Sequence, residues 1–151
     1  QDVISKLYLT VFGKYITPSR VYLSCTRPSA YAKKGTLSSF VLGHEPKKFV
    51  VVYPFTKTRE WYLLPQPQRQ KMMDQHISVS EKYPQVTLNT TYSFGISDQD
   101  FMLAFECDNL RDFQNLIMDL RQTKVSAYVA VDTPMLTCVK KDIIPLITSL
   151  G

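Results

Sequence analysis

No apolar run in this 151-residue chain approaches the ~20 residues that a membrane-spanning helix needs. Cysteine is scarce. Cys25, Cys107 and Cys138 make an odd number, and no CxxC occurs. That pattern excludes a disulfide framework and a cysteine-based zinc site. It points to a reducing compartment, cytoplasm or plastid stroma, with the thiols as buried structural residues. Basic residues never form a block. Lys33-Lys34, Lys47-Lys48 and Lys140-Lys141 are the doublets, and the net charge of +5 is spread along the chain. A nucleic-acid interface is not expected from so diffuse a pattern, whereas an anionic small ligand suits it. Histidine is rarest of the chemically versatile residues, present only as His44 and His76.

What is there suffices for a folded domain. Hydrophobic residues make up 44% and charged residues 21%, the balance of a globular chain with a real core and not of a disordered one. The opening residues carry Asp2 and no continuous apolar stretch, unlike a signal peptide. Val3, Leu7, Val11 and Tyr15 recur at helical spacing, predicting a helix over 3–16 that ends before Pro18. "RVYLSCTR" (20–27) reads as a short strand. Residues 28–47, rich in Ser, Lys, Pro and Gly, read as a linker loop.

Beyond that loop the periodicities sharpen. "KFVVVYPF" (48–55) is a nearly continuous apolar run, the pattern of a strand covered on both faces. Pro65 and Pro67 open a helix over about 66–82. Val86, Leu88, Thr90, Tyr92 and Phe94 alternate as one face of a strand. "DFMLAFEC" is the next strand. Leu110, Phe113, Leu116, Ile117 and Leu120 form one side of a helix. "VSAYVAVDTP" reads as a strand, and a short helix closes the chain. The order β-α-β-β-α-β from Lys48 is that of the α+β, ferredoxin-like unit. Its sheet needs cover on the face away from the helices, from a second domain or another subunit. The expectation is therefore a sheet packed against a second one, in a homo-oligomer or a larger complex. Residues 1–27 are expected to be the tail of a preceding half, and 48–151 the ligand-binding domain.

One stretch exceeds what packing requires. "YPFTKTREWYLLPQPQRQKMMDQH" sets Tyr53, Lys57, the Trp61-Tyr62 pair and His76 in a row. A lone helical histidine carries no chemistry by itself, and a strand-end tyrosine is usually core. Strung together, they suit a site for a redox-active ligand.

In order and spacing, "YPFTK", "EWYLLP", "RxxMMxxH", "NTTYSFG", "DFMLAFE" and "LRQTKVSAY" resemble the chlorite dismutase and coproheme decarboxylase superfamily, haem-binding dimeric α+β barrels. The resemblance covers about residues 48–138, with a weaker echo in 3–33. It implies that His76 ligates iron and that Tyr53 bears a radical beside a substrate propionate. Lys57 then pairs with a propionate or moves a proton. Arg121 and Ser126 hold propionates, and Trp61 packs at the cofactor. Chlorite-degrading members carry a glutamate where Val125 stands, and an arginine thirteen residues after the histidine. Counting gives Asn89 there, or Leu88 if Gly95 is the anchor, so Asn89 is the expected cofactor contact and chlorite turnover is not expected. Two further departures are "ISVSE" after the histidine, which brings Glu81, and an upstream segment with Lys33 and Lys34 in place of arginines. The resemblance points to peroxide-dependent decarboxylation of Fe-coproporphyrin III to haem b. The rival reading is a haem carrier or docking subunit with the same fold.

Overall fold

The computed structural model describes residues 5–6, 8–15, 17, 20–31 and 42–148. Within the predicted first helix, residues 5, 6 and 8 are helical and Val11–Lys14 form a short 3-10 turn; residues 3, 4, 7 and 16, and Lys33 and Lys34, lie outside the described residues. From residue 49 the elements are β1 (Phe49–Lys57), α1 (Arg59–Leu63), α2 (Gln66–Ser80), β2 (Thr87–Tyr92), β3 (Phe101–Cys107), α3 (Leu110–Arg121), β4 (Val129–Val131), β5 (Leu136–Val139) and α4 (Ile143–Thr148). The sheet runs β2-β3-β1-β4, all neighbours antiparallel, with β5 on the same edge of β1 as β4. This is the expected ferredoxin-like order. No described helix is long and apolar enough to cross a membrane.

Strand alternation decides what faces what. On β1, Val51, Tyr53 and Phe55 face the helices; on β3, Phe105 and Cys107 join them. Phe113, Leu116 and Leu120 of α3 close this core. Helix α3 is well specified: Asn109 caps it, accepting a hydrogen bond from the Arg111 amide at 3.0 Å. Asp112 in its first turn and Arg121 in its last complement the helix dipole. A second cluster joins Trp61 of α1, Met72 of α2 and Val125. Gly95 takes φ +76° in the turn after β2, a conformation that glycine adopts without penalty.

Several expectations need correcting. Residues 20–27 form no strand but an extended segment with one bridge, in which Cys25 and Tyr92 exchange backbone hydrogen bonds of 2.8 Å. Residues 124–128 form a 3-10 turn, not a strand. The Ser126 hydroxyl donates to the carbonyls of Arg121 and Thr123 at 2.7 and 2.6 Å, local bonds that override the strand propensity of Val125 and Tyr128. Helix α1 and strand β5 went unpredicted.

Leu116 is 2% exposed at the centre of the core, while Met118 on the same helix is 65% exposed. Leu116→Ala should cost about 2–5 kcal/mol. Met118→Ala should stay within about 0.5 kcal/mol. Urea denaturation of both variants measures this; equal effects would contradict the assignment of the buried face.

Candidate functional site: a cavity between sheet and helix

Helix α2 is mostly polar, and only Met72 is fully buried. It packs on α3 and on the 3-10 turn at 124–128. Between it and the sheet lies a cavity of about 760 Å³, within the range of small-molecule and cofactor sites. Met73, His76 and Ile77 line it from α2, and Tyr53, Phe55 and Lys57 from β1. The alternating set Val86, Leu88, Thr90, Tyr92 and Phe94 forms another wall. Residues 26–31 complete the enclosure, so the start of the predicted linker is part of the site.

His76 is half-buried, and its Nδ1 lies 3.2 Å from the Thr123 hydroxyl. Burial, followed by the Lys57 charge, pushes its pKa down to about 4, so the ring is neutral at physiological pH. A neutral imidazole is a metal ligand. Among the described residues no group of three or more His, Cys, Asp or Glu could hold a metal ion. One nitrogen donor over a large apolar cavity therefore fits a metal that brings its own ring of ligands, as a porphyrin does.

Tyr53 is 4% exposed and stacks on Phe105 at 5.9 Å between ring centroids. Burial raises its phenol well above the ordinary value; Asp132 raises it further and Arg121 partly offsets this. The phenol therefore keeps its proton. Lys57 is buried, not solvated. Its Nζ donates to the Val125 carbonyl at 3.3 Å and sits 4.8 Å from the Trp61 ring centroid. Burial lowers its pKa to about 8, against an opposing pull from Asp100. Asp100 is held by the Lys57 amide at 2.8 Å and the Tyr62 hydroxyl at 2.6 Å. Trp61 is 2% exposed, flanked by Tyr31 and Tyr128. Arg121 and Ser126 line the cavity too. Arg121 is exposed and pairs with Asp132 at 3.4 Å, a surface contact worth about 0–1 kcal/mol and so easily exchanged.

The structure thus gathers Tyr53, Lys57, Trp61, His76, Arg121 and Ser126 around one space. Asn89 is the exception. It is 1% exposed, and its amide donates to Glu106 at 2.8 Å. Strand alternation turns it to the sheet's other face, while Leu88 and Thr90 face the cavity. As an expected cofactor contact it is corrected. Two residues went unremarked in the sequence. Arg27 lines the cavity from the segment tethered by Cys25. Thr123 just follows α3, inside "LRQTKVSAY", but no role could be read for it there, since only the packing of α3 against α2 brings it to His76.

Fold and site together define a class: a ferredoxin-like α+β unit with an apolar cavity served by one imidazole. The chain belongs to the chlorite dismutase family, whose sequence model matches residues 1–141. A coproheme decarboxylase from Mycolicibacterium smegmatis is 33% identical over 128 residues, 85% of this chain and 55% of that relative. The chain thus spans about half the length of the curated relative it matches. The chlorite dismutase of Candidatus Nitrospira defluvii, solved with imidazole, aligns with a TM-score of 0.86 over 99% of this chain and 66% of that one. At 24% identity it supports the fold alone.

The depressed Lys57 pKa carries a sign. The folded chain holds the proton less tightly than the unfolded chain, whose lysine titrates near 10.4. This contribution to stability is therefore complete above that value and lost as pH falls through about 8. From about pH 8 to pH 9.5, the wild-type urea midpoint should rise relative to Lys57→Met, which removes the titration. Parallel midpoints across that range would contradict the buried position of the amine.

Proposed function

We propose that the chain binds an iron porphyrin through His76 and takes part in peroxide-dependent decarboxylation of Fe-coproporphyrin III to haem b. The observation that carries the reading is Tyr53: a buried phenol, held protonated, lining the same cavity as the one neutral imidazole. The decarboxylase relative supports the same branch, as does Val125, fully buried where chlorite-degrading members carry a glutamate.

When bound, the iron porphyrin supplies the oxidising power. The chain supplies position and proton control. Each propionate consumes one peroxide and one proton and yields a vinyl group, carbon dioxide and two waters. Tyr53 gives up an electron and a proton, then recovers a hydrogen atom from the neighbouring propionate side chain. Its high phenol pKa keeps it in the protonated form from which that transfer begins. Arg121 releases Asp132 to bind a carboxylate, a charge-assisted bond that suits guanidinium geometry. Ser126 serves a second carboxylate by turning its one hydroxyl proton away from the Arg121 and Thr123 carbonyls that it now bonds. Lys57, its pKa lowered to about 8, is placed to pass a proton, and the Trp61 ring faces its amine and lines the cavity. We assign residues 48–151 as the porphyrin-binding domain, operating in an oligomer or larger complex in a cytoplasmic or stromal setting.

The second reading, a porphyrin carrier or docking subunit, draws on β2. Its cavity face presents Leu88 and Thr90, with no charged side chain to steer an oxidant. The same wall disfavours chlorite conversion.

Ferric coproporphyrin III and stepwise peroxide, followed by mass analysis of the porphyrin, separate these readings. Wild type should lose two carboxyl groups, and Tyr53→Phe should bind the porphyrin normally and give no vinyl product. Equal rates in both would remove the radical role. Tight binding by both with no product would leave the carrier.

A further inference from the structure

Resting on His76 as the iron ligand, we propose that Thr123 is a positioning residue that fixes the His76 tautomer. It holds the proton on Nδ1 and leaves Nε2 as the nitrogen with a lone pair for the cavity. Thr123 is 5% exposed, so its hydroxyl must find partners within the protein. Oγ1 lies 2.7 Å from the Leu120 carbonyl and 3.2 Å from His76 Nδ1. A threonine hydroxyl has one proton and two acceptor positions. A carbonyl only accepts, so the shorter contact takes the hydroxyl proton. The contact to Nδ1 is then one in which the ring N–H donates to Oγ1, at an ordinary N–H···O distance.

The arrangement fits its surroundings. The Leu120 carbonyl, in the last turn of α3, accepts the Thr123 amide at 3.1 Å, and its second lone pair takes the Thr123 hydroxyl proton. Val125, buried at 2% exposure, offers no acceptor of its own side chain. Thr123 therefore does the orienting with a neutral oxygen. A neutral acceptor withdraws less proton density from the ring than a carboxylate, which leaves the imidazole a weaker donor to iron.

The apoprotein tests the tautomer without any porphyrin. Long-range ¹⁵N correlation spectra of histidine-labelled chain show only two rings, and His44→Gln assigns them. Wild type and Thr123→Ser should show His76 protonated at Nδ1. Thr123→Val, of similar shape but without the hydroxyl, should shift it toward the Nε2–H form. An Nε2–H wild type, or a valine variant still purely Nδ1–H, would overturn the proposal. In the loaded protein, Thr123→Val should raise the dissociation constant for ferric porphyrin about tenfold, with Thr123→Ser near wild type. Unchanged porphyrin affinity in His76→Ala would defeat the ligand reading separately, and the apoprotein spectra would still decide the tautomer.

Discussion

Helix α2 can carry a ligand because it is anchored off the sheet, so that its inward face meets space and not core. Met72 locks it to Trp61 and Val125. Past its other end, Tyr83 donates to Asp119 of α3 at 2.6 Å, and Val79 and Tyr83 pack against the main core. Between those anchors Met73, His76 and Ile77 face the cavity. A helix of this polarity gains little from burying an apolar stripe, and most helices depend on such burial.

The electrostatics follow from that geometry. Lys57 and His76 sit in the same partly dehydrated space, and each is pushed toward its neutral form, mainly by desolvation. The lysine keeps its place through the Val125 carbonyl and the faces of Trp61 and Phe55. Arg121, by contrast, stands in water with a weak partner. The inner charges are fixed and the outer one is exchangeable. Such an order suits a ligand whose flat body is apolar and whose edge is anionic.

The sequence disclosed the cavity's walls better than its polar details. The alternation from Val86 to Phe94 predicted an apolar face, and that face lines the cavity. The "YPFTK" and "RxxMMxxH" motifs located Tyr53, Lys57 and His76. The count from His76 gave Asn89, one residue off, whereas the count from Gly95 gave Leu88, which does line the cavity; one position along a strand exchanges the two faces. Counting from His76 crosses a turn of unknown length, and that count cannot fix strand register. Thr123 was illegible for another reason: its partner is 47 residues away. Of the strand predicted at 125–134, Val129–Val131 is present as β4, while its first residues gave way to a 3-10 turn because Ser126 bonds to the preceding carbonyls.

The central claim is that His76 is the nitrogen that holds an iron porphyrin in this cavity. Spectroscopic titration of the purified chain with ferric coproporphyrin III, beside His76→Ala, tests it most directly. The account predicts saturable one-to-one binding with the Soret band of a histidine-ligated haem in the wild type. The variant should bind far more weakly, and added imidazole should restore the wild-type spectrum. Identical spectra and affinities in the two proteins would contradict the account.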